Sequence, residues 1–317
     1  MMNSVRYTSE LREEWNRFVA TSRNGNFLFD RNFMDYHSDR FCDCSLLFYE
    51  HNRLVALLPA NYDAASRTVH SHQGLTYGGL IMSHRLTTKG VMEAFRLMQQ
   101  YFHESLQAER IIYKPIPYIY NRYASEEDLY ALFRCGATLH SRGISSCIEL
   151  QRRIPITESR KSGLRKAADL TVRETDDVEG FWTILDSVLT TSHNVHPVHS
   201  TSELRLLMSR FPDRIRLFGT FSDDGRMLAG SLVFDFGDTI HTQYLASSDE
   251  GKATGALDRL IMALITDIYP DRCYLDFGIS TEQGGRVLNE GLIFQKEGFG
   301  ARGICYDSYE ITLIPDS

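Results

Sequence analysis

The chain is short of the features that mark the easier classes of protein. It has 317 residues but only 8 prolines and 22 glycines, far too few for collagen-like or linker-like sequence. No uninterrupted apolar run approaches the roughly 20 residues of a membrane helix. The opening stretch MMNSVRYTSELREEW has no apolar core after its first charge, so it does not read as a secretory signal. The six cysteines, Cys42, Cys44, Cys135, Cys147, Cys273 and Cys305, form no CxxC pair and no zinc-ligand quartet. They are expected to be reduced, mostly buried thiols of a cytoplasmic protein. Walker loop, zincin helix, Rossmann fingerprint and Gly-x-Ser-x-Gly elbow are all missing.

What is present is ordinary globular sequence. Hydrophobic residues make up 43% and charged residues 24%, with a formal net charge of −7. That apolar content excludes disorder, and the acidic balance argues against a dedicated nucleic-acid coat. The length suggests two domains of about 150 residues each.

The order of elements sharpens that prior. The first half reads as a helix at 8–21, a short helix near 32–37, strands SLLFYE and RLVALLPAN around a His51-Asn52 turn, then VHSHQGLTYGGLI. It continues with a helix at 88–106, strand ERIIYKPI, a helix at 125–134 and strand GISSCIEL. The second half repeats the order: a helix at 176–190, another at 200–210, and a hairpin around Asp223-Asp224-Gly225. Then follow TIHTQYLASS, a helix at 255–268, RCYLDFGI, a helix at 284–293 and CYDSYEITL. Two copies of one mixed-sheet α/β unit, 1–150 and 151–317, explain the length. Hairpin signals precede the only crossover helix of each half, so the unit is not doubly wound.

Four strings of the second half resemble tandem-GNAT acyltransferases of the FemAB type: SRKSGLRKAADLTVRE, HPVHSTSELRLLMSRFPDRIRLF, AGSLVFDFGDTIHTQYLASS and LDFGISTEQGGRVLNEGLIFQKEGFGAR. NFLFDRNFMDYH and HSHQGLTYGGL add a fainter echo in the first half. The resemblance implies two tandem GNAT-like domains, with the second carrying the site. It implies transfer of an acyl or aminoacyl group to an amine or hydroxyl acceptor. The favoured donor is acyl-CoA, and the acceptor is a cell-envelope or nucleotide-linked sugar, or a peptidoglycan precursor. An aminoacyl-tRNA-dependent peptidoglycan ligase is the competing reading, disfavoured by the acidic charge. A catalytically degenerate ligand-binding protein is a third.

Acyl transfer needs a deprotonated acceptor, two substrates held together and a stabilised oxyanion. Lys296, just before Phe299-Gly300, matches a lysine that Fem-type ligases place near the reacting carbonyl. The plain alternative is a solvated helix-end lysine. His241 is a candidate general base, Tyr244 matches a family tyrosine, and Asp276 or Glu282 can orient a lysine or take a proton. Alternation along Thr239–Ser248 places His241, Gln243 and Leu245 on one face, Thr242 and Tyr244 on the other. Six basic residues between 151 and 166 reverse the local sign of charge, and Arg160, Lys161 and Arg165 among them suit a phosphate. Ser280, Asn289 and His199 are further substrate contacts.

Lys252, Gly255 and Ala256 open a helix after a strand, where a CoA diphosphate would sit. Leu257 stands where the GNAT pattern has a small residue. His193, His196 and His199 cannot share one helical face across Pro197, so no metal is expected. Each of these residues also has a purely structural reading, as a solvated face, a cap or a polar loop.

Overall fold

The computed structural model describes residues 1–193, 197 and 199–313, with backbone alone at 191–193. The chain divides into two compact units: Met1–Gly143, Gln283–Arg286 and the chain from Cys305 in the first, Ile144–Glu282 and Val287–Ile304 in the second. This division differs from a single cut at 150. Ile144–Glu149 joins the second unit because it pairs with the strand that carries Asp276, and the chain's last strand joins the first because it pairs with Arg110–Tyr113.

The first unit begins with β1 (Met2–Arg6) and α1 (Arg12–Thr21). The hairpin β2 (Leu46–Glu50) and β3 (Arg53–Leu58) closes on His51 and Asn52, both at positive φ (48° and 62°). That is the geometry a tight hairpin turn demands, and Asn accepts it readily. The run RLVALLPAN does not continue as one strand. Pro59 has no N–H for the ladder, so the strand ends there, and the chain goes on as β4 (Asn61–Asp63) in a different sheet. β5 (Thr68–His70) and β6 (Ile81–Met82) are all of the VHSHQGLTYGGLI run that is strand.

Helix α2 (Thr88–Leu106) is capped by Thr87, whose side chain accepts from the Gly90 N–H. It buries Val91, Ala94, Phe95, Met98 and Phe102 at helical spacing, into a core shared with Leu46, Phe48, Leu58 and Ile111. β7 (Arg110–Tyr113), α3 (Glu127–Arg134) and the first half of β8 (Thr138–Glu149) complete this unit. β5 and β7 run parallel, Thr68 opposite Arg110 and His70 opposite Ile112.

The second unit opens with α4 (Glu158–Lys166), β9 (Thr171–Glu174) and α5 (Val178–His193). α6 (Thr201–Arg210) starts at a full capping box between Ser200 and Glu203. The sheet order is β9, β10 (Ile215–Phe221), β11 (Met227–Asp235), β12 (Thr239–Ser247), β13 (Tyr274–Ile279) and the end of β8. All neighbours are antiparallel except β12 and β13. Gly230 on β11 lets α5 lie close: a Cβ there would stand 2.4 Å from the Phe181 ring.

Between β12 and β13 come α7 (Asp249–Thr254) and α8 (Ala256–Ala263), the latter ending in a π-helical turn, Leu264–Ile268. Leu260, Ile261 and Leu264 bury against Phe218, Val233, Ile240 and Leu275. The last helix, α9, spans Glu290–Glu297 rather than 284–293. Gly284 and Gly285 sit at positive φ (65° and 90°), which a continuing helix cannot accommodate, and Asn289 supplies the cap.

Of the six cysteines all are free; Cys44 and Cys147 are buried, whereas Cys42 and Cys305 are exposed. Among the described residues no helix is long and apolar enough to cross a membrane.

Candidate active site in the second unit

The site is made by two strands that part company. β12 and β13 pair over Thr239–Tyr274, Ile240–Leu275 and His241–Asp276, and no further. Past that point β12 continues to Ser247 beside β11, with a register shift that makes Gln243 a bulge. β13 kinks at Gly278, whose φ is +78°, and its pairing with β8 is irregular there. The unpaired strand edges border a cavity of about 740 Å³, in the size range of small-molecule sites.

One side of the cavity is the run Thr242–Ser247, and the other is Phe277 and Ile279. Leu185, Val188 and Leu189 come from α5, and Asn289, Leu292, Gln295 and Lys296 from α9. Gly251, Lys252, Gly255, Leu257 and Asp258 come from α7 and α8, and Arg160 from α4. The strict alternation expected along β12 fails at the bulge. Two residues there face one partner, so the face assignment switches, and consecutive residues line the cavity while His241 does not.

Lys296 is the buried residue of α9, only 5% exposed, while Phe294 two positions earlier is 72% exposed. Its ammonium donates to the Gly278 carbonyl at 2.8 Å and to Ser280 Oγ at 2.9 Å, with the Ile279 carbonyl at 3.3 Å. Burial disfavours its charged form and pulls its pKa down to about 8, and the Asp276 charge partly opposes that shift. Lys296 is therefore not a solvated helix-end lysine.

Behind it lies a fully buried carboxylate. Asp276 Oδ2 meets His241 Nδ1 at 2.8 Å, and its Oδ1 accepts from the Ser145 hydroxyl. Ser145 was not a sequence candidate; it lies more than a hundred residues from Asp276 and nothing local marks it. Tyr244 lines the cavity, its hydroxyl 2.7 Å from His199 Nδ1, which is not itself a lining residue, and the Trp182 ring packs edge-on against Tyr244, centroids 5.1 Å apart.

Three of the six residues of the basic cluster are paired within the protein. Arg160 pairs with Asp258 at 2.6 Å and lies over the Phe299 ring, Lys161 pairs with Glu158, and Arg152 with Glu149. Arg165 is exposed and outside the cavity. Glu282 is exposed, accepts from Asn289 and stands off from Lys296, which Asp276 and Ser280 serve instead. Ala256 is buried and does not line the cavity. His196 lies outside the described residues, as does the side chain of His193, and among the described residues no group of three potential ligands could hold a metal ion.

Residues 156–283 match the model of the acetyltransferase (GNAT) domain. This part of the chain, under half of its length, is similar to that domain. None of the curated proteins matches the sequence. Solved structures do match the fold over the whole length. FemX is similar with a TM-score of 0.68 at 12% identity, over 98% of this chain and 97% of that one. A tandem GNAT protein from the clavulanic acid biosynthesis pathway gives 0.53 at 13% identity, over 100% of both. The C-terminal domain of a putative lysylphosphatidylglycerol synthetase from Agrobacterium fabrum gives 0.62 at 11%, over 96% and 92%. The chain thus has the FemAB-like tandem GNAT fold.

Acyl-CoA is a common co-substrate of the GNAT fold, and the residues here would fit its two ends unequally. The unpaired edges of β12 and β13, with Thr242, Gln243, Asn289 and Gln295 nearby, suit an extended amide-bearing arm. The start of α8 is less open to a diphosphate. Gly255, at φ +76°, allows the turn, but Asp258 puts a carboxylate into the first turn of the helix, neutralised by Arg160. Lys252 supplies the remaining cation, at the surface and paired with Asp249.

Proposed function

We propose that the second unit transfers an acyl group from an activated donor, acyl-CoA being favoured, to an amine or hydroxyl of a cell-envelope or nucleotide-linked sugar. The single observation that carries this reading is the buried Lys296 ammonium at the point where β12 and β13 separate. A thioester laid along the open strand edges brings its carbonyl to that point. The acceptor attacks it, forming the new C–N or C–O bond and giving its proton to the His199–Tyr244 pair through the tyrosine, which lines the cavity. The tetrahedral oxyanion is met by Lys296, which has three N–H donors and trades its weakest partner, the Ile279 carbonyl, for the substrate oxygen. Collapse breaks the C–S bond, and the leaving thiolate takes up a proton.

The Asp276 charge favours the ammonium form of Lys296 against its burial, and Asp276 holds His241 by Nδ1. His241 and Asp276 thus position the ammonium from behind rather than touching substrate. The internal pairing of Arg152, Arg160 and Lys161 does not favour a tRNA-sized polyanion.

Mass spectrometry of reactions with a panel of acyl-CoA donors and amino-sugar or hydroxyl acceptors tests the proposal. Product should form with the native chain and fall by about 10²–10³ in rate with Lys296→Met, as when one oxyanion donor is removed elsewhere. Absence of product and of CoA binding overturns it.

A further inference from the structure

The cavity's walls say more about the donor than its outline does. Leu185, Val188 and Leu189 from α5 face a space also bordered by Leu245, Phe277 and Ile279. Leu185 and Phe277 are core residues, 3% and 6% exposed, Val188, Leu189 and Leu245 are half-buried, and Ile279 at the rim is 49% exposed, so the wall runs from the packed interior out to solvent. The charged groups on the lining are Arg160, Lys252 and Lys296, all cations, and a single carboxylate, Asp258. Asp258 is occupied by Arg160. Lys252 is paired with Asp249 at the surface. Among the lining residues, then, the one carboxylate is already engaged by Arg160, and the buried Lys296 ammonium would repel a second ammonium.

Resting on the acyl-transfer reading above, we infer that the group transferred is an aliphatic acyl chain of several carbons, rather than an acetyl or an aminoacyl group. An acetyl group would leave the apolar wall unused and wet. An aminoacyl group would bring a second positive charge beside the Lys296 ammonium with no uncommitted lining carboxylate to pair it, which is strongly unfavourable. An alkyl chain removes apolar surface from water on both sides.

The test is a donor series of acetyl-, butyryl-, hexanoyl-, octanoyl- and decanoyl-CoA, with β-alanyl-CoA as the ammonium-bearing counterpart of the short chains. For the native chain, kcat/KM should rise about two- to fourfold per methylene where burial is substantial, up to the length the cavity holds. β-Alanyl-CoA should be at least tenfold poorer than butyryl-CoA. Val188→Phe, which narrows the apolar wall, should move the optimum to shorter chains. Melting temperatures with each donor give a second readout that does not depend on the acceptor. If product forms but acetyl- or β-alanyl-CoA is the best donor, the chain-length inference falls and acyl transfer stands. If no donor gives product and none raises the melting temperature, acyl transfer itself falls, and the inference with it.

Discussion

Replacing Lys296 by Met makes a prediction about stability that can be tested before any substrate is known. The ammonium sits 5% exposed among two carbonyls and a hydroxyl, and burial lowers its pKa from 10.5 to about 8. At about 1.4 kcal/mol per pKa unit, the folded state carries roughly 3 kcal/mol of penalty for holding the charge. Below pH 8 the lysine is protonated in both folded and unfolded chains, and the whole penalty is present. Between pH 8 and 10.5 the unfolded chain binds more protons, so the native protein gains stability as pH rises, until the penalty is gone. Methionine has no such term. It also leaves the Gly278 carbonyl and Ser280 hydroxyl without their donor, but that loss does not vary with pH. Urea unfolding of both proteins at pH 7.5 and pH 10 should therefore show the native protein gaining about 2 kcal/mol or more relative to Lys296→Met on going to the higher pH. Parallel behaviour of the two proteins across that window would refute the claim that Lys296 carries a desolvated charge, and the oxyanion role with it.

Other perturbations read neighbouring parts of the site. Gly255→Ala should destabilise by about 2 kcal/mol or more in thermal unfolding, because the position is at φ +76° and a Cβ would stand 2.3 Å from the Gly163 carbonyl oxygen. Arg160→Leu strands the buried Asp258 carboxylate and should cost about 2–4 kcal/mol at pH 7, less at pH 5 where that carboxyl, already raised by burial, protonates more easily. Asp276→Asn removes the charge that supports Lys296, so the alkaline limb of the pH–rate profile should move to lower pH. The chain has two tryptophans; Trp182 packs on the cavity residue Tyr244, whereas Trp15 is wholly buried in the first unit. Donor binding should change the emission of Trp15→Phe and leave Trp182→Phe unresponsive.

Local chemistry made much of the fold legible. The His51-Asn52 turn and the helices expected at 88–106 and 200–210 depend on neighbours a few residues apart, and they appear within a residue of where the sequence puts them. The site was legible only in part. Lys296 and Asp276 were singled out from residue type and resemblance, but their burial was hidden. α9 turns its lysine inward and its Phe294 outward, the reverse of what hydrophobic patterning predicts. Ser145 on Asp276 and Asp258 on Arg160 are pairings across 131 and 98 residues, which no local pattern announces.

The two units also differ in a way that bears on where chemistry resides. Each contains a short parallel pair with the same first three residues in type: Thr68-Val69-His70 in one, Thr239-Ile240-His241 in the other. Each histidine is the third and last paired residue, and each stands opposite the third residue of the partner strand. In the second unit that residue is Asp276, which fixes His241 and supports Lys296. In the first unit it is Ile112, and burial lowers the pKa of His70 with no carboxylate opposite it. Past the pair, Ser71 closes the first unit's strands together: its N–H bonds the Ile112 carbonyl and its hydroxyl accepts from the Lys114 N–H. Where the second unit's strands open to a cavity, the first unit's stay bridged. Placing a carboxylate opposite His70, as Ile112→Asp, should accordingly destabilise the protein without adding activity. The first copy lacks the open strand edges as well as the acid.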